Sequence, residues 1–153
     1  MGEDTVSDFS EFFVVAEPRL RRAFVACYGG ERGREATAEA LAWAWEHWTE
    51  VQAMDNPTGY LYRVGRSRTR GRRSPVLFVR QDATTLPWIE PRLAVALGEL
   101  SERQRLAVSL VHGYGWTLRE VAELCGLRVT TVQNHLERGL AHLRAHLGVR
   151  EDV

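Results

Sequence analysis

Apolar residues return every three or four positions along most of this chain, the period of a helix with one buried face. Phe9, Phe12, Phe13 and Ala16 mark a first helix, Pro18 interrupts it, and Leu20, Ala23, Phe24 and Cys27 resume it until Gly29 and Gly30 stop it. A second helix runs from about Arg34 to Val51. On its wheel Leu41, Trp45 and Trp48 share one face and predict a heavy core, while Glu35, Glu39, Trp43, Glu46 and Glu50 share the other. Asn56-Pro57 opens a third helix, with Asn as N-cap and Pro at the first helical position. There Leu61 and Val64 face inward, and Arg63, Arg66, Arg70 and Arg73 form a stripe with Tyr62.

The rhythm fails over residues 74–90, where Pro75 and Pro87, with Pro91 beyond, bracket a weakly periodic stretch that reads as a linker. Its Val76, Leu77, Phe78 and Trp88 predict that it packs on something. Shorter helices follow. Leu93, Ala96, Leu97 and Leu100 form one face; Ser101 and Gln104 make a capping box for a helix ending at Gly113; two more helices cover roughly 117–124 and 129–147. The pattern predicts an all-α chain of two small helical domains, 1–73 and 91–153, each with a modest core of its own.

TLREVAELCGLRVTTVQNHLERG has the spacing of a helix-turn-helix. Val121 and Leu124 point inward, Ala122 is small where two helices cross, Gly126 supplies the turn, and Leu127, Val132 and Leu136 close the core. Thr130, Thr131, Gln133, Asn134, Glu137 and Arg138 then stand on the opposite face of the last helix. Gln and Asn pair bidentately with adenine, Arg with guanine, and Glu accepts from cytosine, so this face suits base edges in a major groove. His135, His142 and His146 lie on one stripe; no carboxylate or cysteine joins them in the sequence, and they read as solvated histidines near a helix C-terminus.

Charge adds a second surface. The chain is formally neutral, yet residues 56–73 carry six arginines and no acid, so the remainder holds −6 against their +6. Arginines in line track a phosphate backbone, and neighbouring tyrosines stack on unpaired bases. The opposing ridge of glutamates around Trp43 fits a protein partner with a basic, partly apolar surface. All 20 cations are arginine and none is lysine, so their placement is more informative than their identity. Cys27 and Cys125 stand far apart without a CxxC neighbour, which suits a reducing cytoplasm; no signal peptide or membrane-spanning run is evident. No Ser/His/Asp, Cys/His or Gly-rich phosphate constellation is present, so neither catalysis, a cofactor nor a metal site is expected.

Taken in order, these segments resemble the small extracytoplasmic-function sigma factors of the bacterial sigma-70 family, over about residues 9 to 147. NPTGYLYRVGRSRTRGRR resembles the family's NPxxWLYRIARN helix, and LSERQRLAVSLVHGYGWTLREVAELCGLRVTTVQNHLERGLAHLR is similar to its promoter-reading domain. The resemblance implies a sigma-2-like domain at 1–73, a linker at 74–90 threading toward the polymerase cleft, and a sigma-4-like domain at 91–153. It implies that Asp55, Asn56, Tyr60, Tyr62, Arg63, Arg66, Arg70 and Arg73 meet the minus-ten element, whose flipped base sits in a pocket, and guide the separated strand. Arg128, Thr130, Thr131, Gln133, Asn134, Glu137 and Arg138 then read the minus-thirty-five element, and Glu35, Glu39, Trp43 and Glu46 dock on polymerase. The implied partners are promoter DNA and core RNA polymerase, through its β′ coiled coil and β flap, with room for an anti-sigma factor. Ala36, Thr37 and Ala38 depart from the family's docking segment, and Gln133, Asn134, His135 and Glu137 are less basic than its usual run. Two rival functions stay open: a polymerase-independent helix-turn-helix regulator, and a protein-interaction module that titrates an anti-sigma partner.

Overall fold

The computed structural model describes residues 2–70 and 91–148; Arg73 and the linker expected at 74–90 lie outside the described residues. Helices succeed one another in the order α1 (Gly2–Tyr28), α2 (Gly30–Glu46), α3 (Trp48–Val51), α4 (Pro57–Arg70), α5 (Pro91–Glu99), α6 (Glu102–Val108), α7 (Leu118–Cys125) and α8 (Val129–Leu147). A π turn at Ser109–Gly113 continues α6. Among the described residues there is no strand.

Pro18 does not interrupt α1. The helix runs through it, because Ala16, Leu20, Ala23, Phe24 and Cys27 are all buried along one face and hold both sides of the proline in register. The carbonyl that Pro18 cannot serve belongs to Val14, a residue 72% exposed, where water can reach it. The second helix also differs from expectation. It begins at Gly30, straight after the left-handed Gly29, and ends at Glu46, with a break at His47 before the single turn of α3. The early start is possible because Gly33 lets α2 lie directly on α1: a Cβ there would stand 2.5 Å from the Cα of Val25.

The N-cap and capping-box expectations hold. Asn56 Oδ1 accepts from the Gly59 amide at 3.1 Å, and Ser101 exchanges side-chain and backbone bonds with Gln104 at 3.2 Å in both directions.

Separate small cores were expected, and a single contiguous one is found. Leu20, Phe24 and Leu61 from the N-terminal helices join Leu106, Leu110 and Val121 from the C-terminal ones in one buried cluster. Helix α6 packs on α1, and α7 packs on α4.

Candidate nucleic-acid interface

Helices α7 and α8 form the expected helix-turn-helix. Thr117 caps α7 by accepting from the Glu120 amide at 3.1 Å, and its hydroxyl donates to the Glu120 carboxylate at 3.1 Å. That second bond is the main reason the Glu120 carboxyl is held below the usual carboxylate range. Gly126 makes the turn in the left-handed region at φ 68°, a conformation costly for a residue with a Cβ. Val121, Ala122, Leu124, Val132 and Leu136 are buried between the two helices. Arg128, Thr130, Gln133, Asn134, Glu137 and Arg138 face solvent, and Thr131 is half-buried. Gln133 donates to Glu137 at 3.3 Å, one turn along the same face. This surface is therefore polar, pre-formed on a helix and accessible, which is what reading base edges requires.

The arginine-bearing helix is placed differently from its sequence reading. Tyr62 is buried, stacked on Phe24 at 5.3 Å with its hydroxyl 3.4 Å from Cys27 Sγ. It belongs to the core and not to the arginine stripe, because Leu61 and Tyr62 together form the inward edge of α4. Tyr60 is at the surface, 5.5 Å from the Trp43 ring, and Asp55 is exposed.

Several residues expected to meet DNA touch the C-terminal half in this arrangement. Asn56 Nδ2 donates to the carbonyl of Glu123 at 2.8 Å, at the end of α7. Arg66 pairs with Glu102 at 3.0 Å, and Tyr28 donates to the same carboxylate at 3.1 Å. Arg63 keeps contact with solvent, but its Nη1 lies 2.5 Å from where a Cβ on Gly126 would stand, so its guanidinium rests on the turn of the helix-turn-helix. The backbone of Arg70 ends α4. In this closed arrangement Arg66 is half-buried in its ion pair, while Asn56 and Arg63 touch the C-terminal half and stay exposed.

The strongest tie across the two halves is a residue the sequence reading missed. Arg105 is buried and donates to the carbonyls of Ala26 at 2.9 Å, Cys27 at 2.6 Å and Leu100 at 3.1 Å. The first two belong to the last turn of α1, and the third lies just past α5. One guanidinium thus serves orphan carbonyls and dipole ends of two helices from the two halves. Burial lowers its pKa, yet a guanidinium keeps its proton in proteins. The available signal was indirect: neither α1 nor α5 has a basic residue in its last turn. Around it, Arg19 bonds Glu120 at 3.2 Å and covers the Trp116 ring at 4.4 Å, and Arg22 covers Tyr114 at 5.0 Å.

On the opposite side Glu35 and Glu46 are exposed and Glu39 is half-buried in a crevice shared with Arg32 and Thr69. The tryptophans exchange their expected places. Trp43 is half-buried, stacked on His47 at 4.1 Å, whereas Trp45 is 47% exposed and meets Phe9 at 5.0 Å. Both precede the break at His47 and share the phase of α2, whose buried face runs along Ala36, Thr37, Ala40, Leu41 and Ala44, so the two indoles flank that face and neither lies at its centre. Trp45 also lines an open groove of about 480 Å³ with Phe9, Phe13, Ala38 and Leu41.

The histidine stripe is corrected as well. Glu99, from the end of α5, does bring a carboxylate to it, with Oε2 at 3.0 Å from His142 Nε2 and 3.2 Å from His146 Nδ1. The bond from His142 chiefly lowers the Glu99 pKa.

Residues 91–143 match the family model for sigma-70, region 4. This segment holds α5 through most of α8, including the whole helix-turn-helix. A solved structure similar to this chain is that of the sigma factor RpoE from Bartonella quintana, in a co-crystal with the anti-sigma factor NepR. The two share 19% identity with a TM-score of 0.64, over 94% of this chain and 99% of that one. No curated protein sequence matches the chain. Residues 91–143 thus resemble sigma-70 region 4, and the chain as a whole has an all-α fold similar to that of the RpoE sigma factor. No helix among the described residues is long and apolar enough to cross a membrane.

Proposed function

We propose that the chain is a promoter-specificity subunit, which binds core RNA polymerase and directs initiation to particular promoters without performing chemistry itself. The observation that carries this reading is the coincidence of the region 4 match with a solvent-facing polar surface at the start of α8. In this reading Thr130, Thr131, Gln133, Asn134, Glu137 and Arg138 meet bases of the minus-thirty-five element, and Arg128 meets a phosphate at the helix entrance. Glu35, Glu39, Trp43 and Glu46 form the docking ridge for the β′ coiled coil, with Trp45 as its exposed indole, and the region 4 domain meets the β flap.

Asp55, Asn56, Tyr60, Arg63, Arg66, Arg70 and Arg73 act on the minus-ten element once the two halves part. Stacking on an unpaired base falls to Tyr60, since Tyr62 is enclosed in the core. The free chain then conceals part of its basic stripe, and polymerase binding supplies the free energy that uncovers it. The RpoE structure holds an anti-sigma factor; a comparable partner for this chain is part of the proposal. Reconstitution with core polymerase tests the reading: promoter-dependent transcripts are expected, and failure of both binding and transcription overturns it.

One observation favours a second reading. The closed arrangement leaves the α8 face open while engaging Asn56 and Arg66 in contacts with the C-terminal half, which is the exposure a polymerase-independent regulator would use. A mobility shift on promoter duplex without polymerase separates the two, because the sigma reading expects weak binding there.

A further inference from the structure

At the far end of the region 4 domain, three side chains converge that neither promoter reading nor polymerase docking uses. His142 and His146 stand one turn apart on α8, their rings 6.4 Å apart and nearly parallel at 27°. Glu99, the last residue of α5, reaches both, so one carboxylate oxygen and two imidazole nitrogens lie within 4.8 Å of one another. We infer that Glu99, His142 and His146 form a site for a borderline divalent cation of the zinc class, fastening α5 to the end of α8.

The donor set decides the class of ion. Two imidazoles and a carboxylate suit zinc and its transition-metal neighbours, whereas magnesium and calcium want a shell of oxygens. The spacing also fits. Bonds of about 2.0–2.2 Å to nitrogen and oxygen put tetrahedral ligand atoms roughly 3.3–3.5 Å apart. The Glu99 oxygen already stands 3.0 and 3.2 Å from the two nitrogens, so a cation needs only a small spreading of side chains. All three residues are partly exposed, at 46%, 45% and 30% of their side chains, which leaves a fourth position for water and an open path of entry. The site begins one turn beyond Arg138 along α8, on the C-terminal side of Thr130–Arg138, so occupancy stiffens the helix pair next to the base-reading segment without using any of its residues.

The test uses the full chain stripped with a chelator. Zinc is titrated against a chromophoric chelator, and cobalt serves as a spectroscopic probe of low-coordinate geometry. One equivalent of zinc is expected to bind saturably, with a rise in melting temperature. Glu99→Gln, His142→Gln and His146→Gln should each weaken binding at least tenfold, since even groups behind a metal ligand cost about 10–100-fold when lost. His112→Gln, on the exposed π turn, should leave it unchanged. Absence of saturable binding overturns the inference, as does binding that survives in all three variants or disappears in His112→Gln. Far-ultraviolet circular dichroism checks that each surface variant keeps its helices.

Discussion

Replacing Arg105 by Met should open the molecule. The side chain keeps most of its apolar bulk but loses the bonds to Ala26 and Cys27 at 2.9 and 2.6 Å, which span the two halves. Hydrogen bonds from a charged donor contribute about 1.5–3 kcal/mol each, so the gross loss is about 3–6 kcal/mol. Two effects offset part of it: the guanidinium no longer has to be desolvated, and the α1 carbonyls regain water on opening. A net loss of about 3 kcal/mol, at the low end for breaking a buried charge arrangement, shifts the closed-to-open ratio roughly a hundredfold. Small-angle scattering reads the outcome. A closed globule of this length has a radius of gyration of about 15 Å, and two beads of roughly 65 residues with centres ~35 Å apart give about 20 Å. Wild type should sit at the first value and R105M should move well toward the second, with free-chain binding to single-stranded minus-ten DNA rising in parallel. A variant that keeps its helical circular dichroism and an unchanged radius would show that Arg105 is not what closes the molecule.

Other outcomes follow from the same contacts. Burial pushes the Cys27 thiol up to about 12 and that of half-buried Cys125 up to about 11, so at pH 8 about a thousandth of Cys125 is thiolate and native labelling should be slow. Cys125 labelling in particular should accelerate in R105M, read by mass spectrometry. Gly126→Ala forces a Cβ into left-handed backbone and against Arg63, and a loss of about 1–2 kcal/mol should appear as a lower urea midpoint, partly recovered by adding Arg63→Ala. Asn134→Ala or Gln133→Ala should cost roughly 1–3 kcal/mol at one or two upstream base pairs in holoenzyme binding; a uniform loss across promoters would instead make them backbone contacts. Because Glu120 has a depressed pKa in the fold, its stabilisation is present above the ordinary carboxylate range and lost as pH falls through the folded value. Thr117→Ala should flatten that acid-side dependence in pH-dependent melting.

What was legible in the sequence was local. Caps at Asn56 and Ser101, the Gly126 turn and the inward Val121, Leu124 and Val132 all depend on spacing within one or two turns, and all were found where expected. The errors arise where distant segments meet. Tyr62 looked amphipathic on its own helix, and only Phe24 and Cys27, far earlier in the chain, make its place a core position. Trp43 and Trp45 were exchanged because both flank the buried face of α2, and contacts with His47 and Phe9 set how far each is covered. Glu99 joined the histidines across 43 residues of sequence. Arg105 resembled any surface cation, since nothing local to α6 announces that two other helices end against it.

The shared interior has a consequence for inheritance. A C-terminal half borrowed from a distant relative would arrive without an arginine aimed at Cys27, a carboxylate for Arg66, or a carbonyl placed for Asn56. Such a hybrid would still carry both sets of helices but would lack the seam that keeps them folded against each other, so these two halves are expected to travel through evolution as a matched set.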